Sequence, residues 1–140
     1  MIKRYKYQQM TPYSLHDMTV SKIECMNNEI CLLIKDEWSK QNIVQEGSMI
    51  IEGVDFDCSN VLLLNKNGEY GNFYGKKLSI QEFLKNYNNF TFEIISDKYG
   101  YNMVEYRGFL YLKTKEVICE TIEMIISIYH FGDIVYDFIK

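Results

Sequence analysis

His16 and Asp17 stand side by side and are the first residues of this chain whose types could do chemistry. An Asp that orients a His imidazole is the core of many general-base arrangements. Neighbours on a strand point to opposite faces, so on a strand the two cannot easily support each other. A turn at that point would let Asp17 cap backbone amides instead. No nucleophile motif accompanies the pair, and a local structural role is the expectation. His130 closes a long apolar run. It would build a site only if the fold brought it to His16; otherwise it reads as a partly buried, hydrogen-bonded side chain. His16, Asp17 and His130 are thus the candidates for catalysis, and none is assigned a catalytic role.

Other chemistry fails on spacing. Asp55-Phe56-Asp57-Cys58-Ser59-Asn60 resembles the start of a calcium loop, but the sixth position is Asn60 where Gly is required, and the twelfth is Lys66 where a bidentate Glu is required. Asp55 and Asp57 then read as a solvated strand edge. Gly68, Gly71 and Gly75 fit neither a dinucleotide nor a phosphate-loop pattern. Four cysteines occur without a Cys-x-x-Cys and far from either histidine, so no metal site and no cofactor are expected. They read as buried, reduced thiols. Tyr and Phe, with 12 and 8 copies, are abundant. Most should be core, with Tyr5, Tyr7, Tyr13, Tyr70 and Tyr74 as the surface set able to form a binding face.

The elements that must position these residues are mostly strands. Val20 to Ile34 reads as a hairpin turning at Asn27-Asn28, because Asn tolerates the left-handed backbone of a two-residue turn. The expected register sets Cys25 opposite Ile30, Ile23 opposite Leu32 and Ser21 opposite Ile34. It puts Cys25 and Cys31 on opposite faces, where no disulfide can join them. Val20 breaks the alternation and implies a bulge near Ser21-Lys22. Residues 1–13 form an edge strand or fray, and 37–47 form a loop that pins Trp38. Ile50 to Cys58 alternates as a strand, Val61–Leu64 is a short strand, and Asn67-Gly68 is a second hairpin turn.

Ser79 and Glu82 form a capping box that opens a short helix over about residues 79–88, with Ile80, Phe83, Leu84 and Tyr87 as one apolar stripe. Phe90, Phe92 and Ile94 alternate in a strand that turns at Tyr99-Gly100, and two short strands follow on either side of Gly108. Val117 to Phe131 is the longest apolar alternation. Gly132-Asp133 then signals a closing hairpin with Tyr129 opposite Tyr136 and both faces apolar. The predicted fold is α+β and predominantly antiparallel: a curved sheet or a two-layer β structure with the one short helix packed on it.

Composition fits a single domain over residues 1–140, with 47% hydrophobic and 24% charged residues. No apolar run spans a membrane, and the basic start at Lys3, Arg4 and Lys6 leads into no apolar signal segment, so a soluble cytoplasmic protein is expected. The net charge of −4 and the scattered lysines argue against a nucleic-acid partner.

The pattern Leu15-His16-Asp17, then Ile23, then Leu32-x-Ile34, resembles small uncharacterised bacterial β-rich proteins of a domain of unknown function, some of them similar to toxin immunity proteins. The resemblance extends through residues 78–84 to Gly132-Asp133-Ile134-Val135-Tyr136, and the chain departs from it in having Asn27-Asn28 and no Gly at the first turn. It implies no catalytic residue. The leading expectation is a non-enzymatic domain that binds another protein, as an immunity factor does, with the acidic balance suited to a basic partner. The alternative is a small-molecule-binding or hydrolytic domain with a pocket between sheet and helix. A third expectation is homo-oligomerisation through the closing hairpin.

Overall fold

The computed structural model describes residues 2–6, 14–35, 46–66, 73–113 and 120–139. Pro12, Trp38, Asn67-Gly68, Gly71, Cys119 and three of the expected surface tyrosines, Tyr7, Tyr13 and Tyr70, lie outside them, as does the side chain of Tyr74. Among the described residues the strands are β1 (Ile2–Tyr5), β2 (Thr19–Met26), β3 (Glu29–Lys35), β4 (Glu46–Ile51), β5 (Val54–Lys66), β6 (Phe73–Leu78), β7 (Phe90–Gly100), β8 (Met103–Leu112), β9 (Glu120–His130) and β10 (Ile134–Ile139). The helix α1 (Ile80–Asn86) lies between β6 and β7. No helix among the described residues is long and apolar enough to cross a membrane.

The strands form one antiparallel sheet in the order β1-β10-β4-β3-β2-β7-β8-β9-β5-β6, which is not closed. β2 meets β7 through only Thr19 opposite Glu93 and Val20 opposite Phe92. Both halves of the sheet send their apolar residues into one core. Leu32, Ile34, Met49, Ile51 and Tyr136 come from one half, and Phe92, Ile94, Tyr106, Met124 and Ile128 from the other. The Tyr106 hydroxyl reaches Met49 Sδ at 3.6 Å across that core. Burial pushes the Tyr106 phenol well above its ordinary range, so it stays neutral.

The first hairpin follows the alternation of its residues. Cys25 pairs with Ile30 and Ile23 with Leu32, and the bulge lies between Val20 and Lys22. That bulge moves the last pair by one residue: Val20, not Ser21, faces Ile34. Asn27 takes the left-handed backbone at φ 53°. In α1 the Ser79 hydroxyl accepts from the Glu82 N–H at 3.1 Å. Ile80 and Phe83 are fully buried, and Phe83 stacks on Tyr87 and packs against Phe90.

Three expectations are corrected. β7 runs through Tyr99-Gly100 and turns at Tyr101-Asn102, and β8 is continuous through Gly108. The segment from Ile50 to Leu64 divides at Glu52-Gly53, not between Cys58 and Val61, into the end of β4 and a long β5. Finally, β9 and β10 do not form a hairpin. β9 pairs with β8 and β5, so Tyr129 faces Met103 and Asp55. β10 pairs with β4 and β1, so Tyr136 faces Met49 and Lys3. The proposed route to oligomers through a closing hairpin therefore has no hairpin to use.

The reason is a corner. β4 and β5 run alongside β10 and β9, and both pairs bend together at Glu52-Gly53 and Phe131–Asp133. Phe131 N–H donates to Gly53 O at 2.9 Å, Gly132 N–H to Glu52 O at 3.1 Å, and Glu52 N–H to Asp133 O at 3.0 Å. Backbones this close leave no room for side chains. Gly53 sits at φ 64°, and a Cβ on Gly132 would lie 2.6 Å from the Glu52 carbonyl oxygen. Gly132→Ala is expected to lower stability by about 2–3 kcal/mol. Gly75→Ala, whose Cβ would meet nothing nearer than 3.7 Å, is the control. Denaturation of the two variants checks this; equal midpoints would contradict the corner.

Candidate functional site

The Leu15-His16-Asp17 run is a turn docked on β7. Leu15 is fully buried, and its N–H donates to Asp97 Oδ2 at 2.9 Å. Met18 N–H donates to Leu15 O, and Asp17, at φ 65°, donates its N–H to Ile94 O at 2.8 Å. Because the chain turns here, His16 and Asp17 do meet: Nδ1 and Oδ2 are 2.9 Å apart. That corrects the opposite-face expectation. The amide capping expected of Asp17 falls to its neighbours, since Asp97 holds Leu15 and Ser14 Oγ accepts from the His16 N–H at 3.3 Å. Both members of the pair are more than half exposed, so water competes for every interaction they make.

His130 is placed quite differently. It is 1% exposed, its Nδ1 lies 3.0 Å from Gly132 O, and its backbone N–H donates to Asn102 O at 3.0 Å. These bonds anchor the corner. Its hydrogen-bond partners, Gly132 and Asn102, differ from those of His16, which are Asp17 and Ser14. Burial pushes the His130 imidazole below its ordinary value, against a smaller opposing pull from the Gly132 carbonyl. The folded state thus disfavours the proton that the unfolded chain takes up near pH 6.5. Stability is complete above about pH 6.5 and declines as the pH falls from there towards the lower folded value. In His130→Asn this decline between about pH 7 and 5 should be reduced. Parallel pH series of chemical denaturation check it, and identical pH profiles would exclude His130 as the cause.

The corner gathers four further stretches of the chain. The β2–β3 turn joins it through Val54 N–H donating to Asn28 O at 2.8 Å, and the β7–β8 turn through Asn102. Arg4 of β1 reaches Glu52 Oε2 at 2.6 Å and Asp133 Oδ2 at 3.2 Å. The fourth is an irregularity in β5. Asp55 faces Tyr129 and Asn60 faces Ser127, so Phe56, Asp57, Cys58 and Ser59 together oppose Ile128 alone. Asp55 Oδ1 accepts from the N–H groups of Asp57 and Cys58 at 3.1 and 3.2 Å. The buried Ser59 hydroxyl donates to Asp55 O at 2.7 Å and accepts from the Tyr129 N–H at 2.9 Å. The aspartates expected on a strand edge do lie on a strand, β5, but at its irregularity rather than in a regular stretch. Ser59→Ala leaves the Tyr129 amide without its partner and should cost about 1–3 kcal/mol. Urea denaturation measures it.

This end of the molecule exposes large apolar side chains. Met26, Tyr101 and Phe131 are 68, 74 and 62% exposed. Tyr129 is also exposed. Of the tyrosines expected at the surface, Tyr5 instead packs edge-on against Tyr136. An open groove of about 450 Å³ is lined by Gly53, Val54, Asp55, Phe56, Asp57 and Phe131, with Asn28 at its edge. Behind the same loop, a second groove of about 590 Å³ runs to the start of α1, past Asn60, Lys77, Gln81 and Glu82. Neither histidine lines either groove.

Cys25, Cys31 and Cys58 are free thiols. Burial pushes Cys25 up to about 11. Cys58 is exposed, which corrects the expectation that the cysteines are buried. Its hydrogen bond to Asp55 and the Asp55 charge raise it too, so none of the three is poised as a thiolate. No group of three or more His, Cys, Asp or Glu among the described residues is arranged to hold a metal ion. No family model matches the chain, and neither a curated protein nor a solved structure is significantly similar to it.

Proposed function

We propose that the chain is a non-enzymatic protein-binding domain, an immunity-type protein of the bacterial cytoplasm, and that it engages a basic polypeptide through the corner end. The observation that supports this reading is the combination found there. Exposed Met26, Tyr101 and Phe131 stand among Glu52, Asp55, Asp57 and Asp133, in a chain of net charge −4. Aromatic and Met side chains are the usual anchors of protein interfaces, and a surrounding field of one sign selects and steers a partner of the other. Tyr101 and Phe131 lie outside the buried core, and exposed apolar side chains gathered together mark interaction surfaces.

Co-expression with the product of the neighbouring gene tests the reading. The expected result is a stable complex with a basic protein, formed more slowly as salt rises, and weakened about tenfold or more by Phe131→Asp or Tyr101→Asp. Absence of a complex, together with no protection of cells from that product, overturns it.

The groove between the β5 loop and α1 favours a second reading as a small-molecule-binding domain, since its volume of about 590 Å³ suits a ligand and its rim carries Asp57, Lys77 and Glu82. No imidazole lines it to serve a hydrolytic step. A ligand screen whose hits perturb Lys77 and Gln81 would support that reading over the first.

A further inference from the structure

We propose that the groove beside Phe131 is an acceptor for an arginine side chain presented by the polypeptide partner. This rests on the protein-binding reading and names the group that the corner end recognises.

At this end Glu52 and Asp133 share the single positive charge of Arg4. Elsewhere on the surface Lys22 answers Glu24, and Arg107 answers Glu123. Among the described residues no cationic side chain pairs with Asp55 or Asp57. Both aspartates line the groove, so it carries two uncompensated negative charges.

The other walls specify the kind of cation. Phe56 and Phe131 line the same groove, with Val54 beside them, so the space offers aromatic faces as well as carboxylates. A guanidinium is planar and weakly hydrated. It can stack on an aromatic ring while its N–H fork donates to a carboxylate, which a compact, strongly hydrated ammonium does less well. The Asp55 carboxylate is already oriented, because Oδ1 is held by two backbone amides, so little side-chain entropy is lost when it accepts a further donor. The groove is also open rather than enclosed, as a site must be to receive a side chain carried on another protein's surface.

The test is a titration of the isotope-labelled full chain with acetyl-Gly-Arg-Gly-amide at low salt, read by amide NMR shifts. The same peptide with citrulline, the neutral isostere, or with lysine is the comparison. The arginine peptide should saturate in the millimolar range with shifts confined to Gly53–Asp57 and Phe131. The lysine peptide should bind several-fold more weakly, and the citrulline peptide should cause no saturable shift. Asp55→Asn with Asp57→Asn should abolish binding. The Asn amide oxygen can still accept the two loop amides, so the spectrum away from the groove should be unchanged. Phe131→Ser should weaken binding about tenfold.

Absence of shifts at the groove, or equal shifts from the citrulline or lysine peptide, overturns the assignment. Its failure is distinguishable from that of the broader reading. A partner bound at the corner end with no arginine-peptide response sinks only the groove assignment. A specific arginine response in a chain that forms no complex with any partner polypeptide sinks the protein-binding reading, and with it the claim that the arginine belongs to a partner.

Discussion

The backbone contact between Glu52-Gly53 and Gly132 is the constraint on which the rest of the structure depends. Two long antiparallel strand pairs, β4 with β10 and β5 with β9, would continue as one ladder if nothing bent them. Their simultaneous bend lets a single ten-stranded sheet double over and bury both halves in one core. It works only because the bonds that link the two bends are made by main chain, at a spacing that excludes a Cβ. A sheet of this many strands otherwise faces a choice between curling and leaving an apolar face wet.

The corner also explains why Met26, Tyr101 and Phe131 are exposed at one end. Turning two strand pairs at the same level brings the β2–β3 turn, the β7–β8 turn and the β5 loop to the same place through short backbone bonds. Side chains at those turns, Met26, Tyr101 and Phe131, have no sheet face left to pack on. The polar groups that bind the corner, Arg4 with Glu52 and Asp133, use up the local positive charge. The acids of the β5 loop are the remainder. A structural solution at the bend therefore sets the electrostatics of the groove beside it.

Much of the local architecture was legible in the residues themselves. Period-two alternation and Asn27 specified the first hairpin and its bulge, and Ser79 and Glu82 the helix start; of the two apolar faces read for β9, only that of Ile122, Met124, Ile126 and Ile128 is buried, while Tyr129 is exposed. What failed was the pairing of distant segments. Gly132-Asp133 has good hairpin chemistry, yet the partners of β9 and β10 lie in distant segments, as far apart as Ile2 and Asp137, where turn propensity has no say. The irregularity in β5 was hidden because Val54, Phe56 and Cys58 alternate as in a regular strand, although Asp55 before the Asp57 and Cys58 amides was a readable capping signal. The candidate site was illegible as a unit. It is built from short fragments of separate elements, and Phe131 read as part of a hairpin face when it stands beyond the last pair of β9.

The pairing of β1 and β4 with β10 has a consequence for how the chain is made. β3 and β4 can zip together as soon as they are synthesised, because their register involves neighbouring segments. The outer edge of β4 and the whole of β1 must then wait for β10, which leaves the ribosome long after them. Throughout that interval a half-sheet with an open edge exists beside incomplete apolar surface. Such species pair readily with one another. Folding should accordingly be limited by the arrival and docking of the last strand, and the yield of native protein should depend on chaperone cover and on the speed of translation through β9 and β10.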